Sequence, residues 1–273
     1  MSTRSENPTA AATASSRRIL MRIAYDGSSH PGWQSQKTGD GIQDLIESAI
    51  EAVTGQPTRL SGAGRTDAGV HANGQTAHAD VPRHKLTPAK AVDALNGNLP
   101  RSIRIRSARQ VSPEFHARFS ATGKTYRYRV WLDRWHHPLE LGRSWHFPYP
   151  VDLSRLPDLV SVLHGTHDFA AFCANRGRPE TTTSRTLYRI KTSRRGPLLE
   201  IRVTGSGFLY RMVRMLAGGI MDCLRVGRNP DRLIRQLHDP TLRLMREAAP
   251  AHGLYLDRVH YRPLTIASVP GRE

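Results

Sequence analysis

The chain is 273 residues long and carries 40 Lys and Arg against 23 Asp and Glu, a formal charge of +17. That length suits one large domain or two joined smaller ones with a proper core, and the charge points to a polyanionic partner, nucleic acid before membrane. Every apolar run falls short of a membrane span, and Cys173 and Cys223 lie too far apart for a Cys-x-x-Cys site, so the sequence predicts two reduced thiols in a cytoplasmic protein and no disulfide scaffold.

Residues 1–17 are Ser, Thr and Ala with scattered charges and no apolar run, the composition of a disordered tail rather than a signal peptide. Structure is expected from Arg18, with Ile19 to Tyr25 a strand that ends in the Asp26-Gly27 turn. A Gly/Ser/Pro loop carrying Gly32-Trp33-Gln34 follows. Ile42, Leu45, Ile46, Ala49, Ile50 and Val53 then recur at helical spacing, and Gly55 and Pro57 stop that helix. Thr58 to Ala63 and Gly74 to Val81 read as strands, Thr87-Pro88 as the cap and first residue of a helix reaching about Asn96, and Ser102 to Val111 as an Ile/Arg alternating strand.

That order, βαββαβ, recurs downstream. Lys124 to Trp131 alternates, with Tyr126 and Tyr128 on one face and Arg127 and Arg129 on the other. Beyond a Trp/His/Pro-rich insertion, Leu153 to Leu163 has a helical pattern that Pro157 either opens or breaks. Thr182 to Thr192 and Leu198 to Thr204 form a hairpin, Phe208 to Arg225 a long helix with Met212, Met215, Leu216 and Ile220 inward, Asp231 to Leu237 a short helix, and Leu254 to Tyr261 the last strand. The expected fold is α+β: two ferredoxin-like halves, residues 18–112 and 113–263 followed by a tail at 264–273, making a mainly antiparallel sheet with helices on one face and a basic cleft on the other.

Between the strands ending at Ala63 and starting at Gly74 lies Gly62-Ala63-Gly64-Arg65-Thr66-Asp67-Ala68-Gly69-Val70-His71-Ala72. Three glycines permit positive φ and close backbone approach, so the loop's one carboxylate, Asp67, is displayed on a tight turn as catalytic acids usually are. Arg65, two residues away, is a cation that would keep it ionised. A Gly-rich corner with an Arg and an Asp is also a common hairpin turn, so the loop needs its context.

That context is a set of further motifs. Gly64 to Ala72 resembles the catalytic loop of the TruA-type tRNA pseudouridine synthases. Tyr25-Asp26-Gly27 with Gly32-Trp33-Gln34-x-Gln36, Phe115-His116-Ala117-Arg118-Phe119-Ser120 with Tyr126-Arg127-Tyr128, His167-Asp168-Phe169-x-x-Phe172, Gly207-Phe208-Leu209-x-x-Met212-Val213-Arg214 and Gly253-Leu254-x-Leu256 resemble that family's other motifs in the same order. The stretch Ser28-Ser29-His30-Pro31 departs from the family, which usually has Thr and an aromatic there.

The resemblance implies the pseudouridine synthase fold and conversion of uridine to pseudouridine at positions 38, 39 and 40 of the tRNA anticodon arm, by base flipping and without cofactor or metal. It implies that Asp67 is the essential carboxylate, attacking the sugar or the base or abstracting a sugar proton. Tyr126 would stack on the flipped base, Arg214 would pair with Asp67, Leu254 would line the base pocket, and Arg65 would fill the space the nucleotide leaves. His71, at the loop's end, joins the substrate-contacting set. The implied assembly is a homodimer that grips the tRNA elbow as well as the anticodon arm. Two other classes fit less well. A tandem RNA-binding module would need aromatic-rich strand pairs, and a metal-dependent nuclease would need clustered carboxylates. Of the 13 histidines, His71 and His78 lie with Asp80 near the loop, but His78 and Asp80 are on an alternating strand and no Cys or carboxylate set at ligand spacing accompanies them.

Overall fold

A computed structural model describes residues 16–82, 87–174, 182–239, 241–242, 244 and 247–266. The chain forms two compact units, one of residues 1–68 and 72–121, the other of residues 69–71 and 122–273. Of the expected N-terminal tail, residues 1–15 lie outside the described residues, and so do 267–273 of the expected C-terminal one.

The first unit runs β1 (Ser16–Tyr25), α1 (Ile42–Thr54), β2 (Ser61–Gly62), β3 (His71–Pro82), α2 (Pro88–Gly97) and β4 (Ile103–Gln110). Strand β1 pairs antiparallel with both β3 and β4, and β2 pairs with β3, the neighbour relations of a βαββαβ ferredoxin-like sheet. Helix α1 starts where Asp44 Oδ2 accepts from the Gly41 N–H at 3.1 Å and ends at left-handed Gly55. Its buried stripe is Ile42, Ile46, Ala49 and Ile50. Helix α2 opens as expected, with Thr87 Oγ1 accepting from the Lys90 N–H and Pro88 in the first turn. Ile19, Met21 and Val81 meet Ile50, Val53, Ala91 and Leu95 in one apolar layer. Alternation along β1 therefore turns Arg18, Leu20 and Arg22 to the sheet face away from the helices.

The second unit contains β5 (Gly123–Trp131), β6 (Trp145–His146), α3 (Leu156–Ser161), β7 (Gly165–Asp168), β8 (Ser184–Arg195), β9 (Leu198–Gly205), α4 (Met212–Leu224), α5 (Asp231–His238) and β10 (Leu254–His260). Its antiparallel strand order is β10-β5-β9-β8-β7, with β6 added parallel to the end of β5. Tyr126, Tyr128 and Val130 are buried on one face of β5. On the other, Arg127 pairs with Glu200 at 2.8 Å and Asp257 at 3.2 Å, and Arg129 with Glu140 at 2.9 Å. These two arginines are thus neutralised within the fold.

Five elements differ from the sequence expectation. Strand β1 starts three residues early, at Ser16, and β3 starts at His71 instead of Gly74. The strand expected over Thr58 to Ala63 shrinks to Ser61–Gly62, because only these two residues pair with β3. Pro157 sits in the first turn of a short α3, preceded by a 3-10 turn at Leu153–Arg155. The long helix begins at Met212, not Phe208, because Arg211 adopts left-handed φ 57°, which no helix start can absorb further upstream.

Candidate active site

Residues 62–67 of the acid loop are braced within the first unit. Entering it, the Ala63 N–H donates to Thr76 O at 2.7 Å and fully buried Gln75 donates through Nε2 to Gly64 O at 2.7 Å. Thr66 is buried, its hydroxyl 2.8 Å from that of Tyr25, and its carbonyl accepts from the Trp33 N–H at 3.0 Å. Asp67 forms an antiparallel bridge with Gly32. Gly32 has φ +113°, and a Cβ there would stand 2.7 Å from Thr66 O, so no other residue allows the two chains to meet. The Trp33 ring lies against Gly62, where a Cβ would come within 2.6 Å of it. Gly32 O and Trp33 O accept from the N–H groups of Ile42 and Gln43, which ties the brace to the first turn of α1 and satisfies two of that helix's open donors. Asp67 is half-buried and Arg65 exposed. The divergent Ser28 to Pro31 stretch is itself ordered by His30, whose Nε2 lies 2.9 Å from Ser102 Oγ.

Beyond Gly69, at φ +78°, the chain joins the second unit. His71 is 2% exposed. Its ring stacks on Tyr255 at 4.6 Å, and its Nε2 lies 2.9 Å from Gly142 O and 3.1 Å from His252 O, so this nitrogen carries the proton and donates to both.

The second unit gathers the other expected residues. Tyr126 is 8% exposed and meets Phe208 edge to face at 5.1 Å. Its neighbour on the same face, Tyr128, is fully buried and donates to Pro250 O at 2.7 Å. Burial raises the Tyr128 phenol well above its usual range, against the opposing charge of Arg214. Arg214, in the first turn of α4, donates through Nε to Ala249 O at 2.7 Å, while the Ala249 N–H returns a bond to Arg214 O at 3.1 Å. Leu254 lies opposite Tyr128 across the β10–β5 ladder and is buried. Burial, and then the electrostatic influence of His71, His136 and Arg214, hold His252 below the ordinary histidine range.

The sequence model of the family described as tRNA pseudouridine synthase matches residues 21–120 and 159–262, well over half of the chain. The chain belongs to this family. Proteins named tRNA pseudouridine synthase A resemble it closely: one from Akkermansia muciniphila is 43% identical over 89% of this chain and 95% of its own length. One from Geobacillus kaustophilus is 40% identical over 90% and 95%, and one from Methylacidiphilum infernorum 39% over 89% and 95%. This pseudouridine synthase is thus an isomerase of the class that converts uridine to pseudouridine in tRNA. No helix among the described residues is long and apolar enough to cross a membrane, and among the same residues no group of three or more His, Cys, Asp or Glu could hold a metal ion.

The match brackets the loop with Asp67 and the helix with Arg214, while Tyr126 falls between its two stretches. What sequence reasoning missed in the synthase is the run Ala249 to Gly253. Its backbone carbonyls receive Arg214, Tyr128 and His71 in turn, so it holds two expected site residues and the buried tyrosine beside Tyr126. The signal was faint: a Pro and a Gly flanking Ala251-His252 ahead of the Leu254-x-Leu256 strand.

Proposed function

We propose that this synthase isomerises uridines 38, 39 and 40 in the anticodon arm of tRNA, with Asp67 as the essential carboxylate. The reaction breaks the bond from the sugar to N1, turns the base, and rejoins the sugar at C5, with the C5 proton lost and N1 protonated. Nothing is oxidised, so no cofactor is called for. A uridine flipped from its stack would be held on Tyr126 and against Leu254, Arg65 would occupy the space left in the RNA, and Arg214 would keep Asp67 charged. His71 serves this loop as an anchor, through its stack on Tyr255 and its bonds to two carbonyls. The carboxylate attacks the sugar or the base, or abstracts a sugar proton.

The observation that carries the reading is the bracing of the acid loop. Gly32, Trp33, Tyr25 and Gln75 all converge on residues 62–67, and a carboxylate fixed this firmly fits a reaction in which it must meet one atom of a rotating base. Targets that step around an A-form stem deny sequence reading, so tRNA shape and backbone charge would be recognised. A homodimer in the cytoplasm, one subunit gripping the elbow of the tRNA that the other modifies, completes the proposal. The test is mass-spectrometric mapping of pseudouridine in unmodified tRNA treated with the enzyme, beside an isolated anticodon stem-loop. Pseudouridine at the three positions, with the stem-loop much the poorer substrate, is expected. Modification elsewhere would contradict the site assignment, and equal rates on the two substrates the recognition by shape.

A further inference from the structure

The motif Phe115 to Ser120 has no part in the chemistry above, yet the first unit holds it firmly. Arg18, clamped in a bidentate pair to Asp80, donates through Nη1 to Phe115 O at 3.0 Å and also to Pro113 O. The Ala117 N–H donates to His78 Nδ1 at 3.1 Å, and Ala117 itself is fully buried. Ser120 closes the turn, its N–H donating to His116 O at 2.9 Å while its Oγ accepts from the His116 N–H at 3.0 Å. Since Arg18 and His78 occupy the face of β1 and β3 turned from the helices, the motif lies on that face.

What this fixed turn displays is an aromatic side chain in water. Phe119 is 77% exposed, the most exposed of the large hydrophobic side chains among the described residues. One side of the ring is backed by His116 at 4.3 Å and 31°, and the Arg118 guanidinium stands 5.7 Å from its centroid. The His116 ring cannot swing away, because its Nδ1 accepts from the N–H groups of both Arg118 and Phe119, at 3.1 and 3.2 Å. The same face presents Arg22 and, opposite Leu20, Arg109, both exposed. A rigid aromatic with a cation beside it and further arginines around it is complementary to a base and its flanking phosphates.

We propose that Phe119, backed by His116 and flanked by Arg118, is a stacking platform for an unpaired nucleobase of the tRNA other than the target uridine. This rests on tRNA being the substrate. The platform adds a fixed point outside the catalytic loop and tolerates any base, since every base offers a π-face. Arg118, Arg22 and Arg109 take the neighbouring phosphates, which makes the contact salt-dependent.

The test compares wild type, Phe119→Ala and Phe119→Trp on an unmodified tRNA transcript, with melting curves to confirm that this exposed site leaves the fold intact. Phe119→Ala is expected to weaken tRNA binding and raise KM about tenfold, with kcat within about twofold, and Phe119→Trp to restore wild-type KM because indole also stacks. Wild-type turnover with an unchanged KM in Phe119→Ala would overturn the platform alone. So would equal losses in both variants, or a change of oligomeric state in Phe119→Ala by light scattering, which would make Phe119 a protein contact. A wild-type enzyme that does not bind tRNA would overturn the substrate reading and the platform together.

Discussion

The loop that carries Asp67 and the strand that carries Tyr126 and Tyr128 are positioned by different balances of the same means. Around Asp67 the chains come so close that side chains must be absent: Gly32 meets Thr66 O, and Gly62 meets the Trp33 ring. Around Tyr126 and Tyr128 the backbone runs in antiparallel ladders, in regular register with β9 and with a shift between Leu256 and Arg258 of β10, and long side chains reach to carbonyls, Tyr128 to Pro250 and Arg214 to Ala249. The first region is sensitive to atoms added at Gly32 and Gly62; the second is sensitive to atoms removed from Tyr128 and Arg214 and, at Gly253, where a Cβ would stand 2.7 Å from the Tyr128 ring, to an added atom as well. The carboxylate needs the tighter fixing, because a short side chain has little reach of its own and its backbone must do the aiming.

Adding one methyl group at Gly32 gives the largest expected effect on stability. Gly32→Ala combines a backbone conformation closed to L-residues with a clash against a carbonyl, and should cost about 3 kcal/mol in chemical denaturation and lower the yield of pseudouridine with it. Gly39→Ala is the control that sharpens the comparison. Gly39 also has positive φ, +71°, but nothing lies within 4 Å of its would-be Cβ, so only about 1 kcal/mol is expected. Equal costs at the two glycines would mean that close approach does not hold the loop. In the second region, Tyr128→Phe removes one oxygen and leaves Pro250 O without its donor. A loss of about 1 to 2 kcal/mol is expected, measured by the same denaturation curves, and no loss would show that the Ala249 to Gly253 run is held without the tyrosine.

Much of this was legible in the sequence because local rules and tertiary needs agree. The apolar spacing of Ile42 to Val53 and the Thr87-Pro88 start of the next helix gave elements that form nearly as read, and the βαββαβ order was recoverable twice. The acid loop stood out by its glycines, although only Gly69 within it takes the positive φ that they permit, and Gly62 serves close approach instead. The start of α4 was not legible, since a left-handed Arg211 runs against the propensity of any non-glycine residue. Nor was the burial of His71, whose partners Gly142 and His252 are 71 and 181 residues away in sequence. The two-residue strand β6 and the four-residue β7 exist only through their pairing with β5 and β8, which no local pattern announces.

The most direct measurement of the central claim compares Asp67→Asn with wild type in two assays on one tRNA, equilibrium binding and pseudouridine formation. An amide nearly preserves the shape of the carboxylate but is neither a nucleophile nor a base, so binding should stay within about threefold while the rate of pseudouridine formation falls by at least about 10³-fold. A rate close to wild type in the folded, tRNA-binding variant would remove Asp67 from the reaction and contradict the account.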